Sequence, residues 1–128
     1  MDRRTVKAKD QSGREAVYEG VLLADILKKA GVKQGKELRG ELLAAYLLVE
    51  AADGYRVVFA LPELDAVFTD RVVLLADHRD GKPLDDRQGP FRIVVPEEKR
   101  PARWVRQVIA LSVCGSIKDR TSPAGPSR

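Results

Sequence analysis

The side chains best suited to chemistry are four cations near the carboxyl end of the chain. They fall within eight residues and are Lys99, Arg100, Arg103 and Arg106. Arginine suits phosphate because its planar guanidinium binds two oxygens at once. Held between two rigid elements, these side chains could bind a phosphate or another small anion. The alternative is that they are solvated residues beside a strand, with one arginine stacked on Trp104.

Few other residues could support catalysis or bind a metal. Cys114 is the only cysteine and His78 the only histidine, which excludes an internal disulfide and a site built from several histidines. We interpret Cys114 as a small apolar residue at the end of a strand. Asp85 and Asp86 are adjacent, so their side chains should point apart. No nucleophile with a base and an orienting group can be assembled, and no glycine-rich phosphate loop is evident.

Composition indicates one globular domain that does not bind nucleic acid and has no membrane span. The chain has 128 residues, of which 44% are hydrophobic and 33% charged. The net charge of +4 favours anionic partners in general, but acidic residues are interspersed throughout. With five per cent aromatic residues, little is available for base stacking. We expect a soluble protein without a membrane span, and the N-terminus shows no signal peptide.

The cations lie between two predicted strands. Residues 91–95 are rich in β-branched side chains, as a strand covered on both faces would be, and prolines bracket them. A second apolar strand is predicted over 107–113. Within the first strand we expect Arg92 to pair with a carboxylate such as Asp86 or Glu50.

The remaining elements follow from hydrophobic period and turn residues. Residues 22–30 carry apolar side chains at helical spacing and end before a glycine. Asp80-Gly81 predicts a tight hairpin. Further strands are predicted over 4–9, 16–19, 46–51, 56–60 and 72–76, with Gly20 ending the second of them. We expect one domain over 1–114 and a flexible tail over 115–128.

An ordered series of short motifs resembles the sulfite-oxidase-type molybdopterin-binding domain. That family has a Pro-x-Arg-Val-Val-Val-Pro strand followed by Gly-Ala-Arg-x-Val-Lys. Here residues 90–96 read Pro-Phe-Arg-Ile-Val-Val-Pro, and residues 102–106 read Ala-Arg-Trp-Val-Arg. Looser matches lie at 18–22, 53–55, 61–64 and 81–84, so the resemblance covers roughly residues 18–113.

The resemblance implies a mixed α/β fold with antiparallel-rich sheets and short helices, and molybdopterin as cofactor. Arg103 and Arg106 match family residues that contact the cofactor, with Lys99 and Arg100 as weaker candidates. Tyr55 matches a position that could line a pocket, although packing on Pro62 is the alternative.

Two ligands of the family have no counterpart here. The family's molybdenum-binding cysteine would fall between Thr5 and Gly13, where this chain has no cysteine. Gln88 stands where the family often has a histidine. The resemblance therefore predicts an oxidoreductase-family domain whose metal site is degenerate, which holds no molybdenum, and whose enzymatic activity stays open. It would bind a pterin, a phosphate or another small anion. The alternative is a non-catalytic protein-interaction domain that retains only the scaffold.

Overall fold

The computed structural model of this chain describes residues 1–10 and 12–115. Within them, eight strands, one α-helix and four short 3-10 turns follow one another. The strands are β1 (Arg4–Lys9), β2 (Glu15–Leu22), β3 (Tyr46–Ala51), β4 (Arg56–Ala60), β5 (Leu74–Arg79), β6 (Lys82–Pro83), β7 (Arg92–Val94) and β8 (Val108–Cys114). The helix α1 spans Leu23–Lys29. The 3-10 turns are Gly35–Glu37, Gly40–Ala44, Leu61–Leu64 and Pro101–Arg103.

The strands form two antiparallel sheets. One has the order β1-β2-β5-β6, with β7 also paired to β5, and the other has the order β4-β3-β8. One short helix and several 3-10 turns connect them, so the predicted mixed fold with antiparallel-rich sheets is confirmed. None of the helices in the described residues has the length and apolar character that a membrane crossing requires.

The core is continuous between the two sheets. Its largest fully buried side chains include Tyr18 on β2, Phe59 on β4 and Leu74 on β5. All three residues of β7 are buried, as predicted for a strand covered on both faces. The amide of Ile93 donates to the carbonyl of Val105 at 2.8 Å, which ties β7 to the segment that carries the cations.

The hairpin between β5 and β6 turns at the predicted dipeptide. Asp80 has φ of 50° and Gly81 has φ of 82°, the pair of positive angles that a type I′ turn requires. The Asp80 carboxylate also accepts the amide of Val17 at 2.9 Å. The side chain thereby holds the turn against β2.

Gly20 does not end its strand, contrary to the sequence-based expectation. β2 continues through it to Leu22, with a register shift between Glu19 and Gly20. A Cβ at Gly20 would lie 2.0 Å from the carbonyl oxygen of Leu75. The glycine is therefore there to let β5 approach the backbone of β2, a known use of glycine within strands.

Other predicted boundaries are close to those observed. The helix is one residue shorter at each end than predicted. The strand predicted over 72–76 is observed over Leu74–Arg79, two residues later at its start and three at its end. The carbonyl of Val73 accepts the amide of Leu23 instead of pairing within the sheet. Except for Gly115, the predicted tail over 115–128 lies outside the described residues.

Candidate anion-binding site

A cavity of about 460 Å³ opens where three connecting segments meet. These are the turn between β3 and β4, the loop before β7, and the segment between β7 and β8. Its lining residues are Ala51, Asp53, Tyr55, Arg87, Pro101, Ala102, Trp104, Val105, Arg106 and Gln107. Two guanidinium groups, one carboxylate and two aromatic rings therefore surround one volume.

Arg87 and Arg106 provide the positive charge of this cavity. Both side chains are exposed, and neither forms an ion pair with another residue in the part of the chain that the structure describes. Asp53 also lines the cavity, and its carboxylate accepts the backbone amide of Tyr55 at 3.0 Å. Two cations against one carboxylate leave the cavity with excess positive charge.

Gln107 fixes the geometry around Arg106. It adopts φ of 53°, a left-handed conformation that costs a residue with a Cβ roughly 1 kcal/mol or more. Three hydrogen bonds hold it there. Its amide donates to Gln88 at 2.9 Å, its side-chain Nε2 to the carbonyl of Asp86 at 2.8 Å, and its carbonyl accepts the amide of Ala52 at 2.9 Å. One residue thus joins all three segments around the cavity.

Arg92 is buried behind the cavity, and no carboxylate in the described part of the chain pairs with it, so the sequence-based expectation of a pair with Asp86 or Glu50 is wrong. The residue is 4% exposed. Its Nη1 donates to Gln88 Oε1 at 2.8 Å and its Nη2 to the carbonyl of Trp104 at 3.3 Å. Burial lowers the pKa of this guanidinium, although arginine stays charged in proteins. Arg92 connects the loop that carries Gln88 to the segment that carries Arg106.

Trp104 forms the inner wall of the cavity. Its Nε1 donates to the carbonyl of Val95 at 3.0 Å, and its ring meets Tyr18 edge to face at a centroid distance of 5.7 Å. The guanidinium of Arg92 lies 5.3 Å from the centroid of the indole. The sequence-based alternative placed one arginine of the cation cluster against Trp104. An arginine does lie there, but it is Arg92 from β7.

Tyr55 lines the cavity from the turn between β3 and β4. It is about half exposed, and its hydroxyl donates to the carbonyl of Ala102 at 2.6 Å. This bond joins the turn to the segment after β7 and brings Tyr55 to the same cavity as Arg106. Tyr55 therefore lines this cavity, and its part in binding a cofactor stays a prediction.

Arg103 lies apart from this cavity and is held by two carboxylates. It forms a two-point contact with Glu63, Nη2 to Oε1 at 2.9 Å and Nη1 to Oε2 at 3.1 Å, and a second ion pair with Glu98. Its Nη1 also donates to the carbonyl of Val58, and its Cζ lies 4.2 Å from the ring centroid of Phe59. Burial would lower the pKa of Arg103, but the bonds to Glu98 and Glu63 outweigh it and raise the pKa.

Lys99 and Arg100 line a second, more open concavity of about 400 Å³ together with Arg103. Both are exposed, and Glu97 and Glu98 line the same concavity. The five residues predicted to bind a cofactor are therefore divided between two places. Tyr55 and Arg106 share the cavity beside Trp104, and the other three lie on the acidic and basic surface next to it.

The described residues contain no group of three or more histidine, cysteine, aspartate or glutamate side chains arranged to hold a metal. Cys114 ends β8, whereas Val108, next to the cavity-lining Gln107, begins it. At about 3.3 Å per residue, the two ends of this strand are roughly 20 Å apart. The sulfur therefore lies far from the basic cavity, and the Thr5–Gly13 segment offers no thiol in its place.

Residues 2–117 match the family described as oxidoreductase molybdopterin binding domain. The chain belongs to this family. No curated protein and no solved structure matches the chain. The suspected family is confirmed, and the match extends beyond the residues 18–113 that carried the resemblance.

The cavity fits part of the group that gives the family its name. Guanidinium side chains at Arg87 and Arg106 suit a phosphate, and the half-exposed ring of Tyr55 suits a planar group. The soft sulfur donor that a molybdenum centre needs is not at this cavity among the described residues. The donor set fits an anionic ligand and does not fit a metal.

Sequence reasoning missed Arg87 and Gln107. Arg87 lies in a loop that the sequence marks only as polar, and its nearness to Arg106 depends on the bonds that Gln107 makes across to that loop. A left-handed glutamine has no signature in the sequence. The cis peptide bond between Gly89 and Pro90 lies in the same loop.

Proposed function

We propose that this domain binds a small anion, a phosphate or the phosphate of a pterin, in the cavity between Arg87 and Arg106. The observation that supports this most is that two guanidinium groups, neither ion-paired within the described residues, share one cavity, while neighbouring Arg103 is already neutralised by Glu63 and Glu98. An anion would supply the missing counter-charge. Charge-assisted hydrogen bonds to phosphate oxygens are stronger than neutral ones.

The two arginines, the aromatic residues and the residues that hold the segments together have distinct parts in this binding. Arg106 and Arg87 would hold the anion from two different segments, so affinity depends on the distance between those segments. Gln107 and buried Arg92 fix that distance through their bonds to the loop before β7. Trp104 offers an apolar wall and Tyr55 a half-exposed ring for any planar group attached to the anion.

We further propose that the metal site is degenerate and that the chain itself has no molybdenum chemistry. The support is the chemistry of the side chains. Cys114, the only cysteine, lies far from the cavity, and the side-chain oxygen of Gln88 already accepts a hydrogen bond from Arg92. No reaction step is therefore assigned to residues of this chain. Their contribution is to bind and orient an anionic ligand.

Binding can be tested by thermal unfolding in phosphate against chloride at matched ionic strength. A ligand at ten times its Kd stabilises the native state by roughly 1.4 kcal/mol. Phosphate and sulfate also stabilise proteins by exclusion from the surface, so the wild type must be compared with Arg106→Ala. The exclusion effect should survive in the variant and the site-specific part should vanish. An equal phosphate response in both proteins would remove the proposal.

Arg100→Ala is the matched control. Arg100 is also exposed and belongs to the same cluster of cations, but it lies in the other concavity. It changes the net charge by the same amount as Arg106→Ala. We expect it to keep the full phosphate response, which would separate a local site from general attraction by a basic protein.

A further inference from the structure

The open edge of β8 is the least protected part of the two sheets. On one side β8 pairs with β3. On the other side, in the described residues, the amide of Val108 donates to Phe91 at 2.9 Å, and the rest of the strand has no neighbouring strand. From Val108 to Gly115 the sequence contains no charged residue and no proline. An edge of this kind presents backbone donors and acceptors that another strand can use.

The edges formed by β4, β1 and β6 have features that discourage pairing with another strand. Arg103 donates to the carbonyl of Val58 on β4, and Arg56 begins that strand. β1 is basic along its length, with Arg4, Lys7 and Lys9. β6 has two residues, one of them proline. Charged residues, proline and short length are the usual means by which proteins block unwanted strand addition. β8 has none of these.

Exposed apolar side chains accompany this edge. Ile109 is 67% exposed and Val113 is 43% exposed, and Phe91, bonded to the start of β8, is 41% exposed. A single exposed apolar residue is unremarkable in a folded protein. Here the exposed apolar residues lie along one uncharged edge strand, where an added strand would cover both the open backbone groups and these side chains.

We propose that β8 pairs edge to edge with β8 of a second copy of this chain, antiparallel about a two-fold axis. A second copy brings a strand of the same length that is also uncharged, so no charge is buried and no carboxylate opposes another. The pairing joins two three-stranded sheets into one of six strands. Two-fold contacts between identical surfaces are the commonest form of homo-oligomer.

The affinity of this dimer is set by its small area. One strand edge buries less than the roughly 800 Å² per partner of a standard interface. The net charge of +4 per chain opposes association, but its sources lie off β8 and are screened over about 8 Å at physiological salt. The dimer therefore forms in a concentration-dependent equilibrium rather than as a permanent assembly.

Sedimentation equilibrium of the full chain, from low-micromolar to submillimolar concentration, tests the proposal. Wild type should shift from monomer to dimer over this range, and Ile109→Lys should stay monomeric at every concentration. Val67→Lys is the matched control, because Val67 is also 67% exposed but lies in the loop before β5. It should dimerise like wild type. A wild type that remains monomeric, or a dimer that survives Ile109→Lys, would overturn the proposal.

Hydrogen exchange on the unaltered protein supplies a test that needs no variant. Among residues 110–114, the backbone amides that point away from β3 should become more protected as protein concentration rises, while those of β1 should not change. Deletion of residues 116–128 distinguishes another occupant. If wild type is monomeric and the deletion makes it dimerise, those residues cover the edge instead of a second copy, and the proposal is wrong.

Discussion

Arg103 and Glu63 form a two-point ion pair, with Nη2 to Oε1 at 2.9 Å and Nη1 to Oε2 at 3.1 Å. The pair joins the 3-10 turn after β4 to the turn before β8 across 40 positions of sequence. Glu98 binds the same guanidinium from a third segment. This arginine therefore has a structural role that its neighbour Arg106 lacks.

Replacing Arg103 should cost stability, and replacing Arg106 should not. Arg103→Met removes the two-point cationic partner of Glu63, leaves Glu98 with only its longer contact to Arg71, and takes a donor from the carbonyl of Val58. We expect a loss of roughly 2 kcal/mol, given that the side chains stay partly solvated. Arg106→Met alters an exposed side chain and should stay within about 0.5 kcal/mol of wild type. Urea unfolding of both variants measures this. Equal losses would show that Arg103 is not the structural arginine.

The hairpin at Asp80-Gly81 should require its glycine. Gly81 has φ of 82°, which a Cβ penalises by roughly 1 kcal/mol or more. Gly81→Val should lower the melting temperature clearly, while Lys82→Val, at an exposed position on β6, should change it little. The measurement is a thermal melt of the two variants beside wild type. If both melted alike, the turn would not depend on its backbone angle.

Asp10 should stabilise the fold in a pH-dependent way. The Ser12 hydroxyl, with the amides of Arg14 and Ser12, outweighs partial burial and lowers the pKa of Asp10 from 3.8 to about 2. Since the folded-state pKa is the lower one, the contribution is complete above about pH 4 and is lost as the pH falls towards 2.

Comparison with Asp10→Asn isolates this contribution. Wild type should be more stable than the variant at pH 6, and the difference should shrink between pH 4 and pH 2. Chemical denaturation at several pH values measures it. A stability difference that stays constant down to pH 2 would mean that the negative charge of Asp10 does not stabilise the fold.

Protein purified from its own host should carry no stoichiometric molybdenum. The reason is that the chain has no cysteine between Thr5 and Gly13, and that Cys114 lies roughly 20 Å along β8 from the cavity end of that strand. Elemental analysis checks this directly. About one molybdenum per chain would contradict the degenerate metal site.

The sequence predicted the strands well because their signals are local. The β-branched run in β7 and the Asp80-Gly81 turn each depend on a few adjacent residues. Gly20 was misread because its role depends on Leu75, which is distant in sequence and touches the glycine only after the sheet has formed.

The sequence predicted a cluster of cations, but it could not predict which of them line the cavity and which are paired with carboxylates. Whether an arginine is free or neutralised depends on carboxylates from other segments. Arg103 meets Glu63 through a contact 40 residues away, and Arg92 takes the oxygen of Gln88 instead of a carboxylate. Arg87 reaches the cavity only through the loop that Gln107 holds. The spacing of residues in the sequence identifies clustered arginines, but it does not show which carboxylates they meet in the folded protein.

NMR observation of the arginine side chains during a phosphate titration tests the central claim most directly. The Nε–H signals of Arg87 and Arg106 should shift together and saturate with one Kd, because both line the proposed site. The signal of Arg103 should stay in place, because Glu63 and Glu98 already occupy its guanidinium. Shifts at Arg103 and Lys99 without shifts at Arg106 and Arg87 would contradict the account.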